Sequence, residues 1–118
     1  MNYLPNEITL STKVTHKFSY IKQKIGVTPN IMARVALLKA LETNIAPDLL
    51  EQPEYLSQKI PKDIAFGEYG DIFNFAIKQY IDIHSYSGDI KTLISNLIET
   101  GAYKIGNIKK PQDLECVF

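Results

Sequence analysis

Four lysines define the chemistry this chain can attempt. Lys13, Lys17, Lys22 and Lys24 lie close together, with His16 and Tyr20 among them. Lys13, Lys17, Tyr20 and Lys24 recur at i, i+4, i+7 and i+11, so a helix would stack them along one side as a basic ridge. Ammonium groups in such a row act as point charges on phosphates and carry no base information. The plainer alternative is a solvated helix face. Arg34 is a further candidate, a guanidinium at an oligomer edge that could hold a phosphate. Its alternative role is structural, paired with an acid in the 42–54 segment or on a neighbouring chain.

The charge distribution sharpens that reading. Formal net charge over the 118 residues is zero. Residues 1–41 nevertheless carry six basic side chains against the single acid Glu7, a balance of +5, while residues 42–118 carry seven lysines against twelve acids, a balance of −5. Such a split between halves is the pattern of a basic part that meets an anionic partner.

Other chemistries find less support. Glu68 and Asp71 lie three apart, as carboxylates of a cation site might. At a helix N-terminus, however, negative charge simply offsets the helix dipole. Cys116 is the single cysteine, so no intrachain disulfide can form, and no histidine lies near it to lower its pKa. His16 and His84 with that one cysteine fall short of the four ligands of a closed zinc site. Neither a phosphate-cradling glycine loop nor a Ser/His/Asp order is present. No catalytic residue, metal or cofactor is therefore expected.

The elements that must position these groups follow from pattern. "EITLS" alternates, placing Ile8 and Leu10 on one face and Glu7 and Thr9 on the other, as a short strand or arm. It is too short to stand alone and needs a partner strand, which another subunit could supply. Ser11 or Thr12 can cap a helix whose stripe is Val14, Phe18, Ile21 and Ile25. Gly26 ends it as a left-handed cap, and Thr28 with Pro29 starts a second helix. That second helix is apolar nearly all round, the mark of burial, with Ile31, Val35 and Leu38 as one stripe suited to an oligomer interface. Residues 42–66, interrupted by Pro47, Pro53 and Pro61, read as an ordered loop with short turns. A third helix begins near "GEYGD" and runs to about Ile83. A fourth carries Ile90, Leu93, Ile94, Leu97 and Ile98 and is closed by Gly101. A last short helix can begin at Pro111. "MNYLPNEITL" lacks a signal-peptide pattern and no apolar run reaches about 18 residues, so a soluble cytoplasmic protein is expected.

Strand, capped helix, glycine turn and apolar helix come in the order of the ribbon-helix-helix fold, which "EITLS" and "KIGVTPNIMARVAL" resemble. In that fold, strands from two subunits pair and the second helices form the dimer core. Glu7 and Thr9 would then be the exposed strand positions, and a carboxylate facing phosphates is repelled. The minimal module also lacks the further helices that follow residue 41.

A longer resemblance spans about residues 5–115. Ile25-Gly26-Val27-Thr28-Pro29-Asn30, Arg34 to Leu37, Gly67-Glu68-Tyr69, Lys78-Gln79 and "LIETGAYKIG" (Leu97 to Gly106) are similar in order and spacing to the DNA sulfur modification protein family DndE. That resemblance implies an accessory protein of the machinery that replaces a non-bridging phosphate oxygen of DNA with sulfur. It implies a small helical protein forming homotetramers, linked to DNA that includes nicked duplex, beside sulfur-activating and ATPase-like subunits.

The expectation is one domain over 1–118, mainly α: a compact bundle of about four helices with a short N-terminal strand. Its parts are a basic strand-helix-helix region (1–41, ribbon-helix-helix-like), an acidic proline-containing loop (42–66) and a helical region (67–118). It should be a non-enzymatic DNA-binding subunit, using Lys13, Lys17, Lys22, Lys24, Arg34 and His16. A ribbon-helix-helix transcriptional regulator is one alternative, and a DNA nickase or sulfur carrier, using the carboxylates or Cys116, is the other.

Overall fold

A computed structural model describes residues 2–118. Strand β1 (Glu7–Ser11) leads into helix α1 (Thr12–Ile25), then α2 (Pro29–Thr43). A 3-10 turn at Pro47–Leu49 precedes strand β2 (Leu56–Pro61) and the short helix α3 (Lys62–Phe66). After a second 3-10 turn come α4 (Gly70–His84) and α5 (Ile90–Lys104), and a 3-10 stretch at Pro111–Cys116 ends the chain. The described residues thus hold five α-helices and a two-stranded sheet, one helix and one strand more than the sequence pattern suggested.

Local chemistry accounts for most boundaries. Ser11 caps α1, its Oγ accepting from the Val14 amide at 3.0 Å, and Gly26 ends the helix at φ 78°. At α2 the expected Thr28 cap makes no side-chain bond; Pro29 at the first helical position and Asn44 in the left-handed region mark the ends instead. Asp89 caps α5, its Oδ2 accepting from the Thr92 amide at 2.9 Å and the Thr92 hydroxyl at 2.8 Å.

The partner of β1 is β2 of the same chain. The pairing is antiparallel, Ile8 opposite Ile60 and Thr9 opposite Lys59, with a bulge before Ser11 meets Leu56. The region expected to be a loop therefore supplies the strand that a second subunit was expected to lend. Thr9, expected outside, is buried, because α5 packs over β1 and Ser95 donates to the Thr9 carbonyl at 3.2 Å.

The inner face of α2 is buried as its composition demands, packed against α5 of its own chain. Met32, Ala33, Ala36, Leu37 and Ala40 form the inner face. Gly101 lies inside α5, not at its end, because a Cβ there would sit 1.7 Å from the Ala36 carbonyl oxygen. Small residues let the two helices approach to backbone contact, and Leu93, Ile94, Leu97 and Ile98 of α5 fill the core beside Phe18, Ile21 and Ile77. Of the stripe Ile31, Val35 and Leu38, Val35 is partly buried against the core, while Ile31 is 42% and Leu38 40% exposed.

Candidate nucleic-acid interface

The lysines on α1 have been given different tasks. Over the roughly 17 Å that α1 rises between Lys13 and Lys24, the helix passes from a crowded end to an open one. Lys17 is half-buried and donates to the carbonyls of Ala102 at 2.8 Å and Ile105 at 2.7 Å. These carbonyls belong to the last turn and cap of α5, where free acceptors and the negative dipole end want a cation. Burial, helped by the charge of Lys13, pulls its ammonium pKa below the usual lysine range. Lys17 is thus a helix cap, and at most a distant contributor to a phosphate contact.

Lys13 is exposed, with Nζ 4.5 Å from the centre of the Tyr103 ring. The phenol of Tyr103 donates to the carboxylate of buried Glu99, and Glu54 lines the same small crevice. That end of the ridge is therefore flanked by acids. Hydrogen bonding to Glu99, then burial, then the charges of Glu99, Glu51 and Glu54 push the Tyr103 pKa well above the ordinary tyrosine range.

The opposite end is free. Lys22 and Lys24 there, and His16 nearer the crowded end, are exposed, and among the described residues none of them makes an ion pair. Lys24 lies 5.4 Å from the Tyr20 ring centre. A shallow groove beside Lys22 is lined by Thr15, Ser19, Gln23, Pro29 and Gln58. The Ser19 hydroxyl and the glutamine amides can hydrogen-bond phosphate oxygens, and no carboxylate lines the groove.

Arg34 is answered too. Its Nε donates to the Ala65 carbonyl at 2.7 Å and its Nη2 to the Ile64 carbonyl at 3.1 Å, with the Tyr69 ring centre 5.7 Å away. Its partner within the chain is thus the C-terminal turn of α3, not an acid. Gly67 follows that turn at φ 55°, and a Cβ there would lie 2.8 Å from Nη2. This explains why the arginine and the "GEY" sequence go together: the guanidinium needs the space that a glycine leaves.

The Glu7 carboxylate is held by Lys91 at 3.1 Å and Lys59 at 4.0 Å, and the hydrogen bond from Lys91 lowers its pKa most. Among the described residues no cluster of three or more His, Cys, Asp or Glu is placed to hold a metal. Glu68 and Asp71 sit in the 3-10 turn before α4 and in its first turn, and Cys116 is an exposed thiol. No described helix is long and apolar enough to cross a membrane. What sequence reasoning missed is Tyr103 and the Lys17 acceptors, which only the docking of α5 against α1 brings together; the signal available was the aromatic and cationic content of "GAYKIG".

Residues 7–111 match the family described as DNA sulphur modification protein DndE. The fold agrees with a crystal structure of DndE from Escherichia coli B7A, described as involved in DNA phosphorothioation modification. The TM-score is 0.69 at 21% identity, over 85% of this chain and 95% of that one. A mutant DndE crystal structure, also described as involved in DNA phosphorothioation, gives a TM-score of 0.60 at 21% identity over the same shares. No curated protein matches. With the family match covering all five helices and both strands, the chain belongs to the DndE family of DNA sulphur modification proteins.

Proposed function

We propose that this protein is a non-catalytic DNA-binding subunit of the phosphorothioate modification machinery and holds the DNA backbone through the outer face of α1. The observation that carries the reading is the free cationic end of that helix, Lys22 and Lys24, beside a groove of neutral hydrogen-bonding groups, with exposed His16 one turn along from Lys13. Lys13 extends the contact, while Lys17 and Arg34 are assigned to structure. Ammonium groups alone give backbone attraction without base readout, which suits a protein acting on phosphates.

Exposed Ile31 and Leu38, with part-buried Val35 between them, support self-association, for which a tetramer is the assembly we favour. Assembly would multiply the basic faces along one duplex. Other subunits of the modification system are the expected protein partners.

The test is a salt titration of binding to intact and to nicked duplex. With three lysines per protomer, log affinity should fall against log salt with a slope of about −2.7 per protomer engaged. A slope near zero would sink the proposal. A dimer that protects one palindromic site far better than random DNA would favour the regulator reading instead. A Mg²⁺-dependent nick in supercoiled DNA, lost in Glu68→Gln, would favour an enzyme.

A further inference from the structure

Three well-exposed apolar side chains of the acidic half lie on one segment. Leu49 is 72%, Tyr55 74% and Leu56 61% exposed. Among them lie Asp48, Glu51 and Glu54, all exposed, and among the described residues none of these carboxylates makes an ion pair. A loop that merely floats could expose such residues at random, but this one is pinned. Leu50 is buried, the Glu51 amide donates to the Thr100 hydroxyl at 2.8 Å, and the Tyr55 carbonyl accepts from the Thr12 amide at 2.7 Å. Just upstream, the Tyr80 phenol donates to the Ile45 carbonyl. Hollows flank the segment on both sides: about 280 Å³ beside Leu49 and Glu51, and about 330 Å³ beside Gln52 and Leu56.

We propose that the outer face of residues 47–56 is a docking surface for a segment of another protein that presents lysine or arginine around apolar side chains, a basic amphipathic helix. Exposed Leu and Tyr side chains on a pinned backbone beside hollows give apolar anchor points at reduced ordering cost. The surrounding unpaired carboxylates select the sign of the partner and steer it. Two other occupants fit worse. DNA is repelled by the carboxylates. A two-fold pairing of this face with its own copy would set acids against acids. This surface abuts α1 at Lys13, which shares a crevice with Glu54 and Tyr55, but it is built from other residues, so this inference does not rest on the DNA reading.

The experiment measures fluorescence anisotropy of a labelled synthetic helix of leucine and lysine, at low salt, on the full-length chain. A leucine–glutamate helix is the control. Wild type should bind the lysine helix and not the control. Glu51→Lys with Glu54→Lys, and separately Leu49→Ala with Leu56→Ala, should each weaken binding at least about tenfold. The milder Glu51→Gln/Glu54→Gln pair, which changes no side-chain shape, should weaken it in the same direction. Equal binding to wild type and variants, or no binding, overturns the proposal. So does loss of the protein's own oligomer in the Leu49→Ala/Leu56→Ala variant, which would make the face a self-interface. Duplex binding is read on the same preparations; its failure in wild type would sink the DNA reading and leave this one standing.

Discussion

Along its inner face α2 meets α5 with alanines and a glycine, whereas the outer face of α1 meets solvent with lysines and tyrosines. The first surface is fixed by shape. Each position has a neighbour at backbone distance, and side-chain size decides what fits. The second is fixed by charge. Its members tolerate many geometries, and two cations that look equivalent in sequence, Lys17 and Lys24, are separated only by what lies over them. Packing contacts are unforgiving and electrostatic ones are graded, so substitutions in the two regions should differ in size and in what they affect.

The largest effect is expected at Gly101. Gly101→Ala drives a methyl into the Ala36 carbonyl, 1.7 Å from where it must go. Both groups belong to helix backbone, so relief requires the helices to separate. Loss of about 3 kcal/mol or more is expected as a drop in urea midpoint. A variant with unchanged midpoint would mean that the seam is looser than described.

Arg34→Ala comes next. It strands the Ala65 and Ile64 carbonyls, and charged hydrogen bonds of this kind contribute about 2 kcal/mol. The same variant should keep the wild-type salt slope on duplex DNA. A reduced slope at unchanged stability would return the guanidinium to the interface.

The two regions also differ in how much the sequence disclosed. Val14, Phe18 and Ile21, and likewise Leu93, Ile94, Leu97 and Ile98, announce their helices because the inward stripe repeats at helical spacing and is buried as a stripe. Strand β2 announces nothing. Of Leu56–Pro61 only Ile60 is buried, Leu56 faces out, and prolines at positions 53 and 61 argue for a loop. Its existence depends on hydrogen bonds to β1, some fifty residues away in the chain, and pairing at that distance leaves no local signature. Gly101 reads as a helix terminator for the same reason, since the carbonyl that demands a glycine belongs to α2. On the candidate site, residue type and spacing placed Lys22 and Lys24 correctly on an open face. They could not separate Lys17 from its neighbours, because the end of α5 that it caps arrives only with the tertiary fold.

That last distinction can be broken by a pair of substitutions. Lys17→Met keeps the aliphatic stem but leaves the Ala102 and Ile105 carbonyls without their donor. A loss of about 1 kcal/mol is expected, with a small change in salt slope. Lys24→Gln should leave stability within about 0.5 kcal/mol and flatten the slope by about 0.9 per protomer. Reversal of the two outcomes would exchange their roles.

The smallest effect belongs to the exposed carboxylates that stabilise element ends. Glu7 is held below the usual 4.5 chiefly by the hydrogen bond from Lys91, then by the charges of Lys91 and Lys59. Asp89 is lowered by its hydrogen bonds from the Thr92 amide and hydroxyl. A carboxyl whose pKa is lower in the folded chain binds its proton more weakly there than in the unfolded chain. Its contribution is therefore fully present above the unfolded value and is lost as pH falls through the folded one. Glu7→Gln should accordingly lower the thermal midpoint slightly at neutral pH, and the gap from wild type should close as pH drops from about 5 towards 3. Salt should narrow the same gap at neutral pH, because the Glu7 pairs with Lys91 and Lys59 lie in solvent where screening is effective. A gap that ignores both acid and salt would show that Glu7 holds β1 to α5 by packing instead of charge.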